Sequence, residues 1–148
     1  PVNATARIYL GKKRITLSLL VEDAPATVTN FVALANAKFY DHTYFHRVVP
    51  VFVSQGGGPR GDGFGSADYT IRSEFSPLKF GAGVAGMASA GKDTESCQFF
   101  FTHIATPHLN GRYTIFGAIT ENLLYLSEIT TGTKIDSVRI DIDTTPVF

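Results

Sequence analysis

Apolar and polar residues alternate near both ends of the chain and collect into short runs between them. Thr5 to Leu10 (TARIYL) alternates as a half-buried strand does, and Arg14 to Val21 (RITLSLLV) reads as a second strand. Gly11-Lys12-Lys13 separates them, so the pair is a hairpin. The period then changes. Val28, Phe31, Val32 and Ala35 form one apolar stripe at helical spacing. Asp23 is placed to cap that helix and Pro25 suits its first turn; the helix should end near Lys38. Tyr44 to Val49 and Val51 to Val53 are apolar runs on either side of Pro50. Gly56 to Ser66 (GGGPRGDGFGS) is loop. Asp68 to Ser73 (DYTIRS), Val84 to Ala90 (VAGMASA), Gln98 to His103 (QFFFTH), Arg112 to Gly117 (RYTIFG) and Lys134 to Ile142 (KIDSVRIDI) are further strand candidates. The small residues of the 84–90 run predict a strand packed closely against something. Three consecutive Phe require apolar surroundings on both faces of the 98–103 strand. Leu123, Leu124, Leu126 and Ile129 mark a short late helix that Gly132 ends. Short, closely spaced strands with one early and one late helix predict a mainly β fold: a closed or nearly closed antiparallel barrel plugged by helices.

Length and charge narrow this picture. At 148 residues the chain is about one domain, residues 1–148, with no repeat or internal linker. Thirteen Lys and Arg balance thirteen Asp and Glu, which argues against nucleic acid or an anionic membrane as main partner. No run approaches the ~18 apolar residues of a membrane helix. The chain opens Pro1-Val2-Asn3 and is expected to be a processed or excised piece. Asn3-Ala4-Thr5 matches a glycosylation sequon, a three-residue match of little weight. Cys97 is the single cysteine, so no intrachain disulfide forms and the compartment is not legible.

Several motifs are weighed and set aside. Gly81-Ala82-Gly83-Val84-Ala85-Gly86 is a literal GxGxxG, but a dinucleotide site needs a strand before it, a helix after it and a carboxylate about 20 residues on. Here Ser76 to Lys79 precedes it and Met87-Ala88-Ser89 is a poor helix start. His42, His46, His103 and His108 lack metal-ligand spacing, so no metal and no cofactor are expected. Cys97 beside the Phe run reads as a small buried residue rather than a nucleophile.

The stretch Tyr44 to Gly58 (YFHRVVPVFVSQGGG) holds the one unusual feature: Arg47 set among Phe45, Val48, Val49 and Phe52, with Gln55 following. Such an arginine either lays its stem on apolar surface with its head in water, or is held over a site. One fixed cation, one amide and many aromatic and small residues suit an apolar ligand that carries a carbonyl, and suit hydrolysis poorly.

These residues resemble a family. FHRVVPVFVSQGG at 45–57, GMASAG at 86–91, SCQFFFT at 96–102 and PHLNGRYTIFG at 107–117 are similar to the cyclophilins, peptidyl-prolyl cis-trans isomerases, and the likeness runs from about Thr5 to Ile142 through Ala24-Pro25-Ala26-Thr27-Val28-Thr29-Asn30-Phe31. The resemblance implies a closed eight-stranded antiparallel β-barrel with two capping α-helices and an active site on its outer face. It implies Arg47, Phe52 and Gln55 as catalytic residues. It implies substrate binding by Val53, Gly63, Ala88, Ser89, Ala90, Gln98, Phe100, His108, Leu109 and Tyr113. Four positions depart from the family pattern: Val53 stands for methionine, Ser89 for asparagine, His108 for a tryptophan common in eukaryotic members, and Tyr113 for histidine. The last two look like a bacterial variant, of the bacterial cytoplasm or a secreted or periplasmic protein. The partners implied are proline-containing peptides and unfolded protein clients, with weak cyclosporin binding, a monomeric protein, and neither nucleic acid nor membrane. Two other readings stand beside an active isomerase: a proline-peptide binding domain with little turnover, and a purely structural domain of a larger protein.

Overall fold

A computed structural model describes residues 3–63 and 65–143. Eight strands form a single sheet: β1 (Asn3–Leu10), β2 (Lys13–Leu19), β3 (Tyr44–Val49), β4 (Val53–Gly58), β5 (Val84–Met87), β6 (Phe99–Thr102), β7 (Ile115–Glu121) and β8 (Ser137–Asp143). Their spatial order is β3-β4-β6-β5-β7-β2-β1-β8, and every ladder is antiparallel. The two edges, β3 and β8, do not form a ladder with each other. They are joined by a narrow seam in which Tyr44 bridges Lys134, the Phe45 N–H donates to the Thr133 carbonyl at 2.9 Å, and the Ile135 N–H donates to the Thr43 carbonyl at 2.7 Å. The mainly β, eight-stranded antiparallel architecture is therefore as expected, and its closure is partial at this seam.

Local chemistry accounts for most elements. In the β1–β2 hairpin Leu10 pairs with Lys13, and Gly11 between them takes a φ of +63°, which glycine adopts without a Cβ clash. Ala4, Ala6 and Ile8 on β1 and Ile15, Leu17 and Leu19 on β2 alternate into the interior. The helix α1 (Pro25–Asn36) buries Val28, Phe31, Leu34 and Ala35 against the barrel, with Val32 partly covered. Its N-cap is Ala24 rather than Asp23, and no side chain at that position caps it. The carboxylate of Glu74 does so instead, accepting from the Ala26 N–H (3.2 Å), the Thr27 N–H (2.6 Å) and the Thr27 hydroxyl (2.6 Å). An anion at the positive end of a helix is favourable.

Two other expectations are corrected. The late helix is a 3₁₀ helix, Leu123–Glu128, entered through Asn122 at φ +65°; only Leu126 within it is buried. Six residues with one anchor do not sustain an α-helix. Residues 68–73 are not a strand. Asp68 at φ +66° breaks the extended backbone, and Ile71 makes only an isolated bridge with Glu95. No helix of the described residues is long and apolar enough to cross a membrane.

The interior is aromatic. Phe31, Tyr40, Phe45, Phe99, Phe101 and Phe116 are fully buried in one cluster, with ring centroids 5.1 to 6.4 Å apart in tilted and edge-on contacts. A second, smaller cluster of Val53, Phe80, Phe100 and Ile115 lies on the other face of the sheet. The three-Phe strand divides accordingly: Phe99 and Phe101 face the barrel core, and Phe100 faces outward.

Candidate active site

Strand register builds the site. Arg47 on β3 pairs with Gln55 on β4, Gln55 with Phe100 on β6, Phe100 with Gly86 on β5, and Gly86 with Ile115 on β7. Residues paired across antiparallel strands share a face. One transverse row therefore carries a cation, an amide, an aromatic ring, a gap and an aliphatic side chain across the outer surface. The gap is required. A Cβ on Gly86 would lie 2.5 Å from the Cζ of Phe100 and 2.9 Å from Phe80. Phe100 can lie over the sheet only because Gly86 has no side chain, and Phe80 stacks on it at 5.5 Å and 24°. The close packing expected of the 84–90 run is this contact.

A pocket of about 210 Å³ opens above the row, lined by Arg47, Phe52, Val53, Gln55, Ala88, Ser89, Phe100, Leu109 and Tyr113. Its floor is Phe100 and Val53, both buried. Tyr113 meets Phe100 edge-on at 5.8 Å and 87°. Leu109 closes the far wall from the 3₁₀ turn Pro107–Leu109. The Arg47 side chain is exposed at the mouth and makes no ion pair with a described residue. His108 does not line the pocket; it is exposed and stacks on the back of Phe52 at 5.5 Å and 27°.

A second groove, about 260 Å³, adjoins the first and shares Gln55, Ala88 and Ser89 with it. Gly63, Ala90 and Gln98 line this groove, which accounts for the remaining sequence-expected residues. Ser66, Thr94 and Ser96, from loops that the sequence places beside the groove without marking these residues individually, also line it, as does Cys97, read from the sequence as a small buried residue. Their small polar side chains in loops carry no pattern that distinguishes a groove wall from ordinary turns.

A hydrogen-bond relay orders the two amides. The Gln98 side chain donates from Nε2 to the Gly63 carbonyl at 2.8 Å, which leaves its Oε1 as acceptor. Gln55 Nε2 donates to that oxygen at 3.2 Å. Gln55 lines both grooves, and its amide nitrogen has a second proton that this bond does not use. Gly63 takes a φ of +85°, and a Cβ there would strike the His46 ring at 2.8 Å. Burial, and then the charge of neighbouring Arg47, push the His46 imidazole below its ordinary pKa, with Asp62 partly opposing. His46 is thus held neutral near pH 7, so Arg47 supplies the positive charge on this strand. Burial raises the Cys97 thiol, which argues against a thiolate nucleophile.

Comparison with known proteins identifies the family. The family model for cyclophilin type peptidyl-prolyl cis-trans isomerase/CLD matches residues 5–146. Peptidyl-prolyl cis-trans isomerase B of Bacillus subtilis is 47% identical over 130 residues, 86% of this chain and 91% of that protein. A peptidyl-prolyl cis-trans isomerase of Helicobacter pylori is 45% identical over 139 residues, 91% of this chain and 86% of that protein. Among solved structures, a cyclophilin type peptidyl-prolyl cis-trans isomerase of Cryptosporidium parvum, crystallised in the presence of the dipeptide Ala-Pro, superposes with a TM-score of 0.86 at 29% identity, covering 93% of this chain and 98% of that one. The chain belongs to the cyclophilin-type peptidyl-prolyl cis-trans isomerase family and is an isomerase of that class.

Proposed function

We propose that the 210 Å³ pocket holds the proline ring of the substrate and that Arg47 drives rotation of the preceding bond. The barrier to that rotation is about 20 kcal/mol because turning the bond destroys amide resonance. In the twisted state the prolyl nitrogen regains its lone pair and becomes a better hydrogen-bond acceptor. A guanidinium placed against it donates more strongly to the twisted state than to the planar one, which is differential stabilisation of the transition state. Phe52, Phe100, Leu109 and Tyr113 exclude water from the ring and so strengthen that bond. The free proton of Gln55 Nε2 holds the substrate carbonyl, and the backbone at Ala88 to Ala90 pairs with the extended chain before the proline. That segment lies in the second groove, along Gly63 and Gln98. The step needs no nucleophile, metal or cofactor.

The observation that carries the assignment is an exposed guanidinium without an ion-pair partner among the described residues, at the mouth of an apolar pocket. Two-dimensional exchange NMR on an Ala-Pro peptide tests it. Wild-type protein accelerates exchange, and Arg47→Ala lowers kcat by about 10²- to 10³-fold, the usual cost of losing one transition-state donor. An unchanged rate in Arg47→Ala refutes the role. The substrates we assign are proline-containing peptides and unfolded clients, bound by a single monomeric domain. Cyclosporin binds weakly in this reading, since His108 supplies neither the apolar area nor the indole donor of a tryptophan.

A further inference from the structure

A larger cavity, about 570 Å³, opens on the other side of the β3–β4 turn. Val48, Val51, Ile104, Leu123, Leu124 and Ile129 supply its apolar walls. Its lining contains no Asp, Glu, Lys or Arg. His103 is its one imidazole; it shares a 2.7 Å hydrogen bond with the Ser54 hydroxyl, and burial lowers its pKa, so it is neutral near pH 7. Leu124 is 84% exposed and Val51 67%, well beyond what scattered surface residues require.

Val51 is the informative residue. It sits at the tip of the turn with a φ of +60°. A β-branched residue is a genuine outlier there, and glycine would take the same turn without strain. The strain holds an isopropyl group on the rim of the cavity. Strain that persists at a surface tip, where packing does not demand it, points to a role for the side chain displayed.

The neighbouring residue settles the occupant. Phe52 lines the proline pocket, Val51 lines the second cavity, and the Phe52 carbonyl ties the turn to the His103 N–H at 2.8 Å. The two sites are therefore continuous across one turn. In the proposed binding mode the chain before the proline lies along Gly63 and Gln98, so the chain after it leaves over Phe52 toward Val51. An extended chain covers ~3.3 Å per residue, so a segment of a few residues after the proline can cross the turn.

We propose that this cavity is a second docking site for the same client chain, taking a bulky apolar side chain a few residues after the bound proline. The proposal rests on the reading that the Arg47 pocket holds that proline. Its consequence is a substrate preference set outside the catalytic pocket: exposed X-Pro bonds followed by apolar sequence, as in unfolded chains, are engaged at two points.

Three peptides test this by exchange NMR on the full chain. One is a short Ala-Pro peptide, and the others extend it with either Leu or Ser at the fourth position after the proline. The Leu peptide should show a KM about five- to tenfold below the Ser peptide, from burial of one leucine. Val51→Gly and Leu124→Glu should each abolish that difference and leave kcat/KM on the short peptide unchanged. Val51→Gly relieves backbone strain, so its Tm should not fall and misfolding cannot mimic the result. Equal KM values for the two long peptides, with normal turnover of the short one, overturn the proposal alone. So does a difference that survives both variants. No acceleration of the short peptide by wild type overturns the pocket reading and the proposal with it. A wild-type dimer that Leu124→Glu makes monomeric assigns the surface to a second copy and also overturns it.

Discussion

Gly86→Ala isolates the one contact on which the pocket floor depends. Gly86 is not at positive φ, so alanine fits the backbone and only the new methyl acts. That methyl would sit 2.5 Å from the Cζ of Phe100 and 2.9 Å from Phe80. Carbon atoms in contact sit near ~3.5–4.0 Å, so the Phe100 ring must move by about 1 Å. Phe80, 1% exposed, blocks one direction, and the 210 Å³ pocket leaves the other open. The ring therefore enters the space assigned to proline. Overpacking of this kind costs ~1–3 kcal/mol, equivalent to roughly ten- to a hundredfold in kcat/KM if it falls on substrate binding. Because the ring has an open side to move into, the stability loss should stay near the lower end, a Tm decrease of about 2–4 °C for a domain of this size. Exchange NMR on an Ala-Pro peptide and a thermal melt measure both quantities. Gly86→Ala/Phe100→Leu should recover the Tm without recovering the rate. A Gly86→Ala protein with wild-type Tm and kcat/KM within twofold of wild type would refute the reasoning. A Tm loss above about 10 °C would show instead that the ring is driven into the core.

Three further outcomes are expected. Glu74→Ala removes the acceptor of three hydrogen bonds at the start of α1 and should lower stability by ~0.5–2 kcal/mol with turnover unchanged, read by urea unfolding and the same peptide assay. Cyclosporin should inhibit only weakly, because His108 stacks on Phe52 and stays out of the pocket; nanomolar inhibition in a titration would contradict this. Stability should decline as pH falls below about 6.5: burial lowers the pKa of both His46 and His103, the unfolded chain binds protons that the folded one excludes, and the stabilisation is complete only above the unfolded value. Replacing both histidines by Gln should flatten unfolding free energy between roughly pH 5 and 6.5, and an unaltered slope would place the effect elsewhere.

What the sequence disclosed follows from the range of each interaction. Alternation in β1 and β2 and the Phe99-Phe100-Phe101 run are local patterns with only one structural solution each, and the structure adopts them. The Arg47, Phe52 and Gln55 constellation was legible because its members lie within nine residues of one another, on β3, β4 and the turn between them. The cap on α1 was not, because Glu74 reaches it from 47 residues away and displaces Asp23 from a role that local propensity assigned to it. Residues 68–73 alternate as a strand would. Their polar groups instead bond to a distant loop, the Ser73 N–H to Asp93 and the Asp93 N–H to the Ser73 hydroxyl. The second groove was half legible: Gln98 stood out beside the Phe run, whereas Ser66 and Thr94 become walls only when two loops meet.

The division of the sheet into two apolar faces explains how the site can depart from the family pattern while the fold holds. Phe45, Phe99, Phe101 and Phe116 belong to the barrel core, and the pocket we assign to proline stands on the separate cluster of Val53, Phe80, Phe100 and Ile115. Of the four departures, Val53 alone is buried, and it lies in the outer cluster; Ser89 and Tyr113 are half-buried and His108 is exposed. None of the four contributes to the core. A change in the outer cluster reshapes the pocket at the cost of a few contacts, whereas a comparable change at Phe101 opens a cavity in the barrel, which for Phe→Ala costs ~3–5 kcal/mol. Arg47, which we propose as the transition-state donor, has no ion-pair partner among the described residues to lose when it is replaced. On the proposed reading, specificity can change at Val53, Ser89, His108 and Tyr113 while backbone register holds the Arg47–Gln55–Phe100 row in place.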